Sequence, residues 1–176
     1  MKKFELTSEF VANIFGKKLF RIRALVEFGN VKVGESGGYI EKEENLSQYG
    51  SAWVYGNAQV CGDAQVCGDA QVGEYAQVYG NAHVYGSAWV YGNAQVCGDA
   101  QVCGDAGYAM VKGFGREYRN TTFFRCGDGK IRVACGCFLG DLDEFREKVK
   151  ETHGDGKMAK EYLAIADLME MHFKED

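Results

Sequence analysis

The sequence predicts a mainly β fold organised around a parallel β-solenoid, and three features of one short repeat support this prediction. Valine recurs at every sixth position from Val54 to Val102, and alanine stands two positions before each of these nine valines. Glycine usually follows two positions after the valine, and Asn, Asp or Ser comes next. Small and branched side chains fit a narrow interior, whereas Gly and Asx residues suit tight corners. Each hexad therefore predicts one short strand and one turn.

Residues 51–104 hold nine hexads, and three hexads complete one coil of a triangular solenoid. The predicted solenoid thus has three regular coils within residues 51–110, stacked at strand spacing, about 4.8 Å. The segment SAWVYGNAQVCGDAQVCGDA begins at Ser51 and again at Ser87, an offset of 36 residues that equals two coils. Tandem duplication lengthens a solenoid without redesign, because each coil needs only its neighbours. The repetition therefore does not by itself require a ligand.

Residues 1–50 predict a small N-terminal β cap and a degenerate first coil. Apolar and polar residues alternate from Leu19 to Val26, which together with Phe4–Leu6 indicates an antiparallel unit. The interior positions of the degenerate coil are assigned to Val33, Ile40 and Leu46. A solenoid end needs such an atypical cap, because an open coil exposes apolar side chains and unpaired backbone.

Residues 111–140 predict a β-hairpin that follows the solenoid. Thr121–Cys126 and Ile131–Phe138 have strand composition and flank the turn sequence GDGK. Just before the hairpin, Tyr108 is expected to take the place of valine at the end of the last coil.

Residues 141–176 predict a tail of two helices. Asp141 and Glu144 form the pattern of a capping box ahead of a helix over 142–153, and Gly154 is placed to end it. A second helix over 157–173 carries an apolar stripe of Tyr162, Ile165, Met169 and Phe173. The stripe must be buried, and it could pack against a solenoid face, the open end of the solenoid or another subunit. We expect the tail to mediate oligomerisation.

The hexads AQVYGN, AHVYGS and AWVYGN resemble those of hexapeptide-repeat proteins. This resemblance implies that the solenoid is a left-handed parallel β-helix. The flanking segments, among them LFRIRALVEFGNVKVGESGGYI and CGDGKIRVACGCFLGDLDEF, are similar to a group of uncharacterised hexapeptide proteins encoded by phages and prophages. That second resemblance implies that the protein works in the host cytoplasm.

Composition excludes several classes of partner. The formal net charge of −5 argues against duplex nucleic acid, because binders of the phosphate backbone spread excess Lys and Arg over one face. The N-terminus lacks the apolar run of a signal peptide, and no stretch approaches the roughly 20 apolar residues that span a bilayer. The odd count of seven cysteines suits free thiols better than a disulfide framework. We expect a cytoplasmic protein that binds no membrane.

Many hexapeptide-repeat proteins are acyltransferases, and the resemblance implies that such an activity would use a histidine at a subunit interface and acyl-coenzyme A. His83 lies inside a regular hexad, and the coils have no long loop that could wrap a coenzyme A arm. A surface or interface role for His83 is therefore favoured over a catalytic base. Cys135 and Cys137 are one residue apart in a predicted strand, which is not the spacing of a zinc site. No catalytic residue, metal or cofactor is predicted.

The candidate binding or interface residues come from one predicted face of the solenoid. Two aromatic pairs lie two coils apart there, and the coil between them has no aromatic side chain at the two equivalent positions. In order along the column these residues are Trp53 and Tyr55, then Gln71 and Gly73, then Trp89 and Tyr91. Two indoles about 9.6 Å apart could hold a planar ring between them, since two stacking distances total roughly 7 Å. Glu74 occupies the corner beside the gap, and Arg21, Arg23 or a neighbouring subunit would complete the slot.

A second interpretation of the same column is favoured over the slot. Exposed Trp and Tyr on a flat face are typical of an oligomer contact, or of a seat for the chain's own helix. The sequence thus predicts a non-catalytic binding or assembly module that forms a homo-oligomer. Its further partner would be a small planar or nucleotide-like molecule of the host, or a host defence protein. The alternative is the hexapeptide-family acyltransferase.

Overall fold

The computed structural model describes residues 1–104 and 107–174. At the N-terminus, β1 (Phe4–Ala12) and β2 (Lys18–Ala24) form an antiparallel hairpin, and β3 (Ser36–Ile40) pairs antiparallel with β2. β3 also pairs in parallel with the first solenoid strand of its column, Tyr39 opposite Gln59. The predicted antiparallel cap is therefore present and continues one sheet of the solenoid.

The solenoid consists of nine strands of two or three residues. They are β4 (Trp53–Val54), β5 (Gln59–Val60), β6 (Gln65–Val66), β7 (Gln71–Val72), β8 (Gln77–Val78), β9 (His83–Tyr85), β10 (Trp89–Val90), β11 (Gln95–Val96) and β12 (Gln101–Cys103). They stack as three parallel sheets, with orders β3-β5-β8-β11, β4-β7-β10 and β6-β9-β12. Each strand pairs with the strand 18 residues onward, as Gln59 does with Gln77 and Gln77 with Gln95. Three hexads per coil are thus confirmed.

The interior of the solenoid is filled by the repeating alanines and valines. All nine alanines from Ala52 to Ala100 and all nine valines from Val54 to Val102 have no exposed surface. Ile40 and Leu46 continue two of these columns upstream, opposite Val60 and Val66, so that the solenoid has about four turns. The assignment of Val33 to the interior is wrong, since its side chain is 65% exposed. Val31 is buried instead, because the chain between β2 and β3 turns back on itself at Val31.

The C-terminal part begins with a four-stranded antiparallel sheet. Its strands are β13 (Tyr108–Phe114), β14 (Arg119–Arg125), β15 (Ile131–Cys135) and β16 (Phe138–Asp141), paired in that order. The predicted hairpin is present as β14 and β15, with Thr121 opposite Cys135. Tyr108 does not continue the last coil, because it pairs antiparallel with Phe124 and so belongs to this sheet.

One face of the C-terminal sheet closes the end of the solenoid. Phe124 and Ala134 are buried in the same apolar cluster as the solenoid valines. The backbone NH of Gln95, in the last coil, donates to Thr122 Oγ1 at 3.2 Å. Ala100 forms an antiparallel bridge with Cys126. The sheet therefore covers apolar side chains and satisfies backbone groups that an open coil would expose.

The other face of the sheet carries α1 (Leu142–His153) and α2 (Lys157–Phe173). The predicted capping box is confirmed, with Asp141 Oδ1 accepting from the Glu144 NH at 3.0 Å and Glu144 Oε2 accepting from the Asp141 NH at 2.8 Å. The apolar stripe of α2 is buried together with Phe123 and Val133 of the sheet. The apolar stripe of α2 therefore packs on a sheet of its own chain, a location that the three alternatives predicted from the sequence did not include. None of the described helices is long and apolar enough to cross a membrane.

One corner of the solenoid departs from the glycine pattern. Most corners have glycine in the left-handed region, for example Gly56 at φ 64° and Gly92 at φ 69°. The corner between them has Glu74 at φ 58°, a conformation that a residue with a Cβ adopts at a cost of roughly 1–2 kcal/mol. This corner is the one that interrupts the repeat in the sequence.

We expect Glu74→Gly to raise the free energy of unfolding by about 1 kcal/mol, because the left-handed strain disappears while glycine adds some unfolded-state entropy. Urea unfolding monitored by circular dichroism measures this change. Gly98→Ala is the matched control, since Gly98 has φ 65° and its new Cβ would meet nothing within 4 Å. It should lower stability by a similar amount. A Glu74→Gly variant less stable than the parent would contradict the strain argument.

Candidate functional site

The predicted column of outward side chains exists. We call the outer side of β4, β7 and β10 the aromatic face. Trp53, Gln71 and Trp89 lie opposite one another across the three strands. The next outward positions along these strands belong to Tyr55, Gly73 and Tyr91. The two aromatic pairs therefore share one face, as the 36-residue offset predicts.

Trp53 is buried, and the prediction that both indoles are exposed is wrong. The Trp53 side chain is 1% exposed. Its ring packs edge-on against Phe4 of β1 at 6.4 Å and against Phe28 at 5.3 Å between centroids. The N-terminal cap folds over this end of the aromatic face, so that Trp53 is part of a core. Within the described residues its indole NH has no hydrogen-bond partner.

The predicted slot at Gly73 is occupied by the chain itself. The ring of Tyr55 lies directly on Gly73, where any Cβ would overlap it. Burial, followed by the negative charge of Glu74 and by Tyr91, raises the pKa of the Tyr55 hydroxyl. Gly73 thus makes room for the tyrosine of the neighbouring coil. A planar ligand between two indoles is excluded, because one indole is buried and the gap is filled.

Arg21 and Arg23 do not reach the aromatic face and instead stabilise the N-terminal hairpin. Arg21 Nε donates to Glu9 at 2.7 Å and Nη1 donates to the Gly37 carbonyl at 2.7 Å. Arg23 pairs with Glu5 of β1. The hydrogen bonds to Arg21 and to the Tyr39 hydroxyl lower the pKa of the Glu9 carboxyl. Both guanidinium groups are therefore used for strand pairing.

The exposed part of the aromatic face is its C-terminal half. Trp89 is 56% exposed and Tyr91 is 48% exposed, on the same side of the chain two residues apart. Tyr55, on the first coil of this face, is half-buried. Trp89, Tyr91 and Tyr55 form a rigid aromatic patch, because their backbone is held by the ladder between coils, for example from the Gly73 NH to the Val90 carbonyl at 2.9 Å. Tyr75, at the adjacent corner, is 62% exposed and lines a cavity on the neighbouring β5-β8-β11 face.

The other two faces differ in character. The turn of the N-terminal hairpin covers part of the β5-β8-β11 face, where Phe15 contacts Tyr79 at 6.1 Å between ring centroids and Asn13 lies beside Cys61. The β6-β9-β12 face presents Gln65, His83 and Gln101 in register. Large exposed aromatic side chains of the solenoid strands thus concentrate on the aromatic face, among the residues that the structure describes.

His83 is half-buried and lines a cavity of about 370 Å³ together with Asp99, Cys126 and Arg132. Within residues 1–104 and 107–174, the His83 ring makes no hydrogen bond to a carboxylate that could orient it as a base. Nor do these residues include a group of three or more His, Cys, Asp or Glu that could hold a metal ion.

The cysteines follow the predicted columns. Cys61 and Cys97 lie two coils apart with Tyr79 between them, and both thiols are free. Burial raises the pKa of each of these two thiols. They therefore serve as small core residues rather than as nucleophiles.

Comparison with known families agrees with this geometry. Residues 76–93 match the family model described as the YdcK β-solenoid repeat. The matched stretch has 18 residues, the length of one coil, and includes β8, β9 and β10. The chain thus contains a β-solenoid built of hexapeptide repeats. No curated protein sequence matches it. The resemblance to phage and prophage proteins stays a prediction.

The C-terminal part contains a further concave region, which the sequence did not predict. Its walls come from the β13–β14 turn, the β15–β16 turn and the two helices. These segments are far apart in sequence, and only their spatial packing makes a cavity. The one local signal was the run GFGREYR, in which glycines and arginines alternate with aromatic residues.

We expect Trp53 and Trp89 to differ strongly in their contribution to stability, although they occupy the same position of the repeat. Trp53→Ala should lower the free energy of unfolding by about 3–5 kcal/mol, because it empties a core. Trp89→Ala should change it by less than about 1 kcal/mol. Urea unfolding at low protein concentration measures both values, and equal losses would contradict the burial of Trp53.

Proposed function

We propose that the protein is a non-catalytic binding and assembly module whose copies associate through the aromatic patch of Trp89, Tyr91 and Tyr55. The observation that supports this most is the exposure of Trp89 and Tyr91 on a flat strand surface. Aromatic side chains are enriched at protein interfaces and among the residues that contribute most to binding. A rigid backbone reduces the conformational entropy that is lost on association.

A protein surface fits this patch better than a small ligand. Small-molecule sites are concave, whereas the one gap in the aromatic column is filled by Tyr55. The ends of the solenoid are capped, which favours lateral association over end-to-end growth. At the N-terminal end, β1 is an edge strand with an irregular register between Leu6 and Phe10 and carries Glu5 and Glu9. Such features discourage further strand pairing.

Native mass spectrometry, together with light scattering across a concentration series, tests the proposal. We expect clean multiples of the 19.4 kDa chain. The variant Trp89→Ser/Tyr91→Ser should weaken association at least about 10-fold, since each truncated anchor of an interface costs more than about 1 kcal/mol. Gln65→Ser/Gln101→Ser is the matched control, because these residues occupy the position of Trp89 on the neighbouring face. It should leave association unchanged.

Three outcomes would overturn assembly through this patch. A wild-type chain that stays monomeric at high concentration contradicts it directly. A reproducible excess mass on chains that stay monomeric, lost in Trp89→Ser/Tyr91→Ser, would instead identify a small molecule bound at the patch, such as the planar or nucleotide-like ligand that the sequence predicts. A second protein that copurifies in fixed ratio with monomeric chains would identify a host partner.

The hexapeptide-family acyltransferase is the second candidate function. The observation in its favour is that His83 and Asp99 line the same cavity, of about 370 Å³. This activity requires binding of coenzyme A, which calorimetric titration of the assembled protein measures. Binding that His83→Ala leaves intact, with acyl transfer abolished, would support the acyltransferase. Absence of binding would exclude it.

A further inference from the structure

The C-terminal part contains a cavity that the proposed function does not use. It has a volume of about 390 Å³, which lies within the range of small-molecule sites, about 300–1,000 Å³. It opens between the β13–β14 turn, the β15–β16 turn and α1. We call it the arginine-rimmed cavity, after two residues described below.

The floor of the arginine-rimmed cavity is aromatic. Phe145 lies at its centre, 5.6 Å from Phe138 and 5.8 Å from Tyr162 between ring centroids. Phe145 and Tyr162 are nearly fully buried, so that their positions are set by packing. Gly115, at φ 73°, lets the β13–β14 turn close over the Tyr162 hydroxyl, which any Cβ at this position would overlap. The turn is therefore fitted to the floor.

The rim carries two arginines without ionic partners. Arg116 and Arg119 line the cavity, and neither forms an ion pair with any residue in 1–104 or 107–174. Four other arginines of the chain all pair with carboxylates: Arg21, Arg23, Arg132 and Arg146. The two unpaired guanidinium groups thus stand out in a chain of net charge −5.

Other polar groups at the rim leave the site positive. Lys148 lines the cavity and is 2.7 Å from Glu151, with both side chains largely exposed. Glu117 lies between the two arginines in sequence and contributes one negative charge. His153 stacks on Tyr162 with 5.9 Å between ring centroids and 23° between planes. Two free guanidinium groups outnumber one free carboxylate and therefore favour binding of an anion. A planar guanidinium group can donate two parallel hydrogen bonds to an oxyanion group.

We propose that the arginine-rimmed cavity binds a small amphiphilic anion, whose aromatic or acyl group packs on Phe138, Phe145 and Tyr162 and whose oxyanion group pairs with Arg116 and Arg119. The aromatic floor supplies most of the binding energy through apolar burial. The two arginines pair with the charged end of the ligand and give the site its preference for anions. Both parts come from the C-terminal part of the chain, so that this site is independent of the aromatic patch.

The test uses two fluorescent probes with similar rings. 8-Anilinonaphthalene-1-sulfonate carries an oxyanion, and N-phenyl-1-naphthylamine does not. We expect the sulfonate to bind wild-type protein, and Arg116→Gln/Arg119→Gln to raise its dissociation constant about 10-fold or more. Binding of the uncharged probe should change little. Lys150→Gln/Lys160→Gln removes the same charge from exposed positions outside the cavity and should leave both probes within about twofold.

A blocking variant locates the bound probe. Thr152→Trp places a large ring at an exposed position of the cavity wall and should abolish binding of both probes without disturbing the core. Sulfonate binding that survives Thr152→Trp but is lost in Trp89→Ser would place the probe on the aromatic patch and overturn the proposal. Unchanged affinity in the double arginine variant would overturn it as well.

Competition identifies the oxyanion. Benzoate and phenyl phosphate share one ring and differ in the charged group. Displacement of the sulfonate probe by either compound supports the proposal. The compound that displaces the probe at lower concentration identifies the preferred oxyanion, carboxylate or phosphate. Displacement by neither compound at millimolar concentration would contradict it.

Discussion

The narrow interior of the solenoid is the constraint on which the rest of the structure depends. Each hexad places one alanine and one valine inside, and none of them retains exposed surface. Coils 18 residues apart are joined by backbone hydrogen bonds, for example from the Tyr55 NH to the Val72 carbonyl at 2.9 Å. The nine regular hexads place only alanine and valine inside, so every bulky residue of these hexads lies outside. The surface chemistry of the three faces follows directly from this restriction.

The two ends of the solenoid are closed by different means. At the N-terminal end, the ammonium group of Lys3 donates to the Ala52 carbonyl at 2.9 Å, and the rings of Phe4 and Phe28 enclose Trp53. At the C-terminal end, an antiparallel sheet places Phe124 over the last coil. Each cap buries apolar surface and satisfies backbone groups that parallel stacking would otherwise leave unpaired. The lateral faces consequently remain as the surfaces available for association.

The two candidate sites differ because their scaffolds differ. The aromatic patch lies on stacked two-residue strands, which make a flat and rigid surface without depth. The arginine-rimmed cavity lies where turns and a helix meet a sheet, and such junctions leave concave space that side chains of opposite character can line. Aromatic rings on a flat face suit another protein surface, whereas rings beneath two unpaired guanidinium groups suit a small anion. Burial and local charge, rather than the chain's overall negative charge, therefore distinguish the two proposed sites.

The amino-acid sequence alone determined the three-sided solenoid, because small and branched residues at a six-residue period suit a narrow interior, and the stacking register follows from counting three hexads per coil. It also determined both C-terminal helices, since the capping box at Asp141 and the stripe on α2 are local signals. Tertiary structure alone decided which outward residues stay exposed. Trp53 and Trp89 occupy identical repeat positions, yet the N-terminal cap covers one of them, and Tyr55 fills the gap at Gly73. Contacts between segments distant in sequence produced these differences, and they likewise brought Arg116 and Arg119 to the same cavity as Phe145.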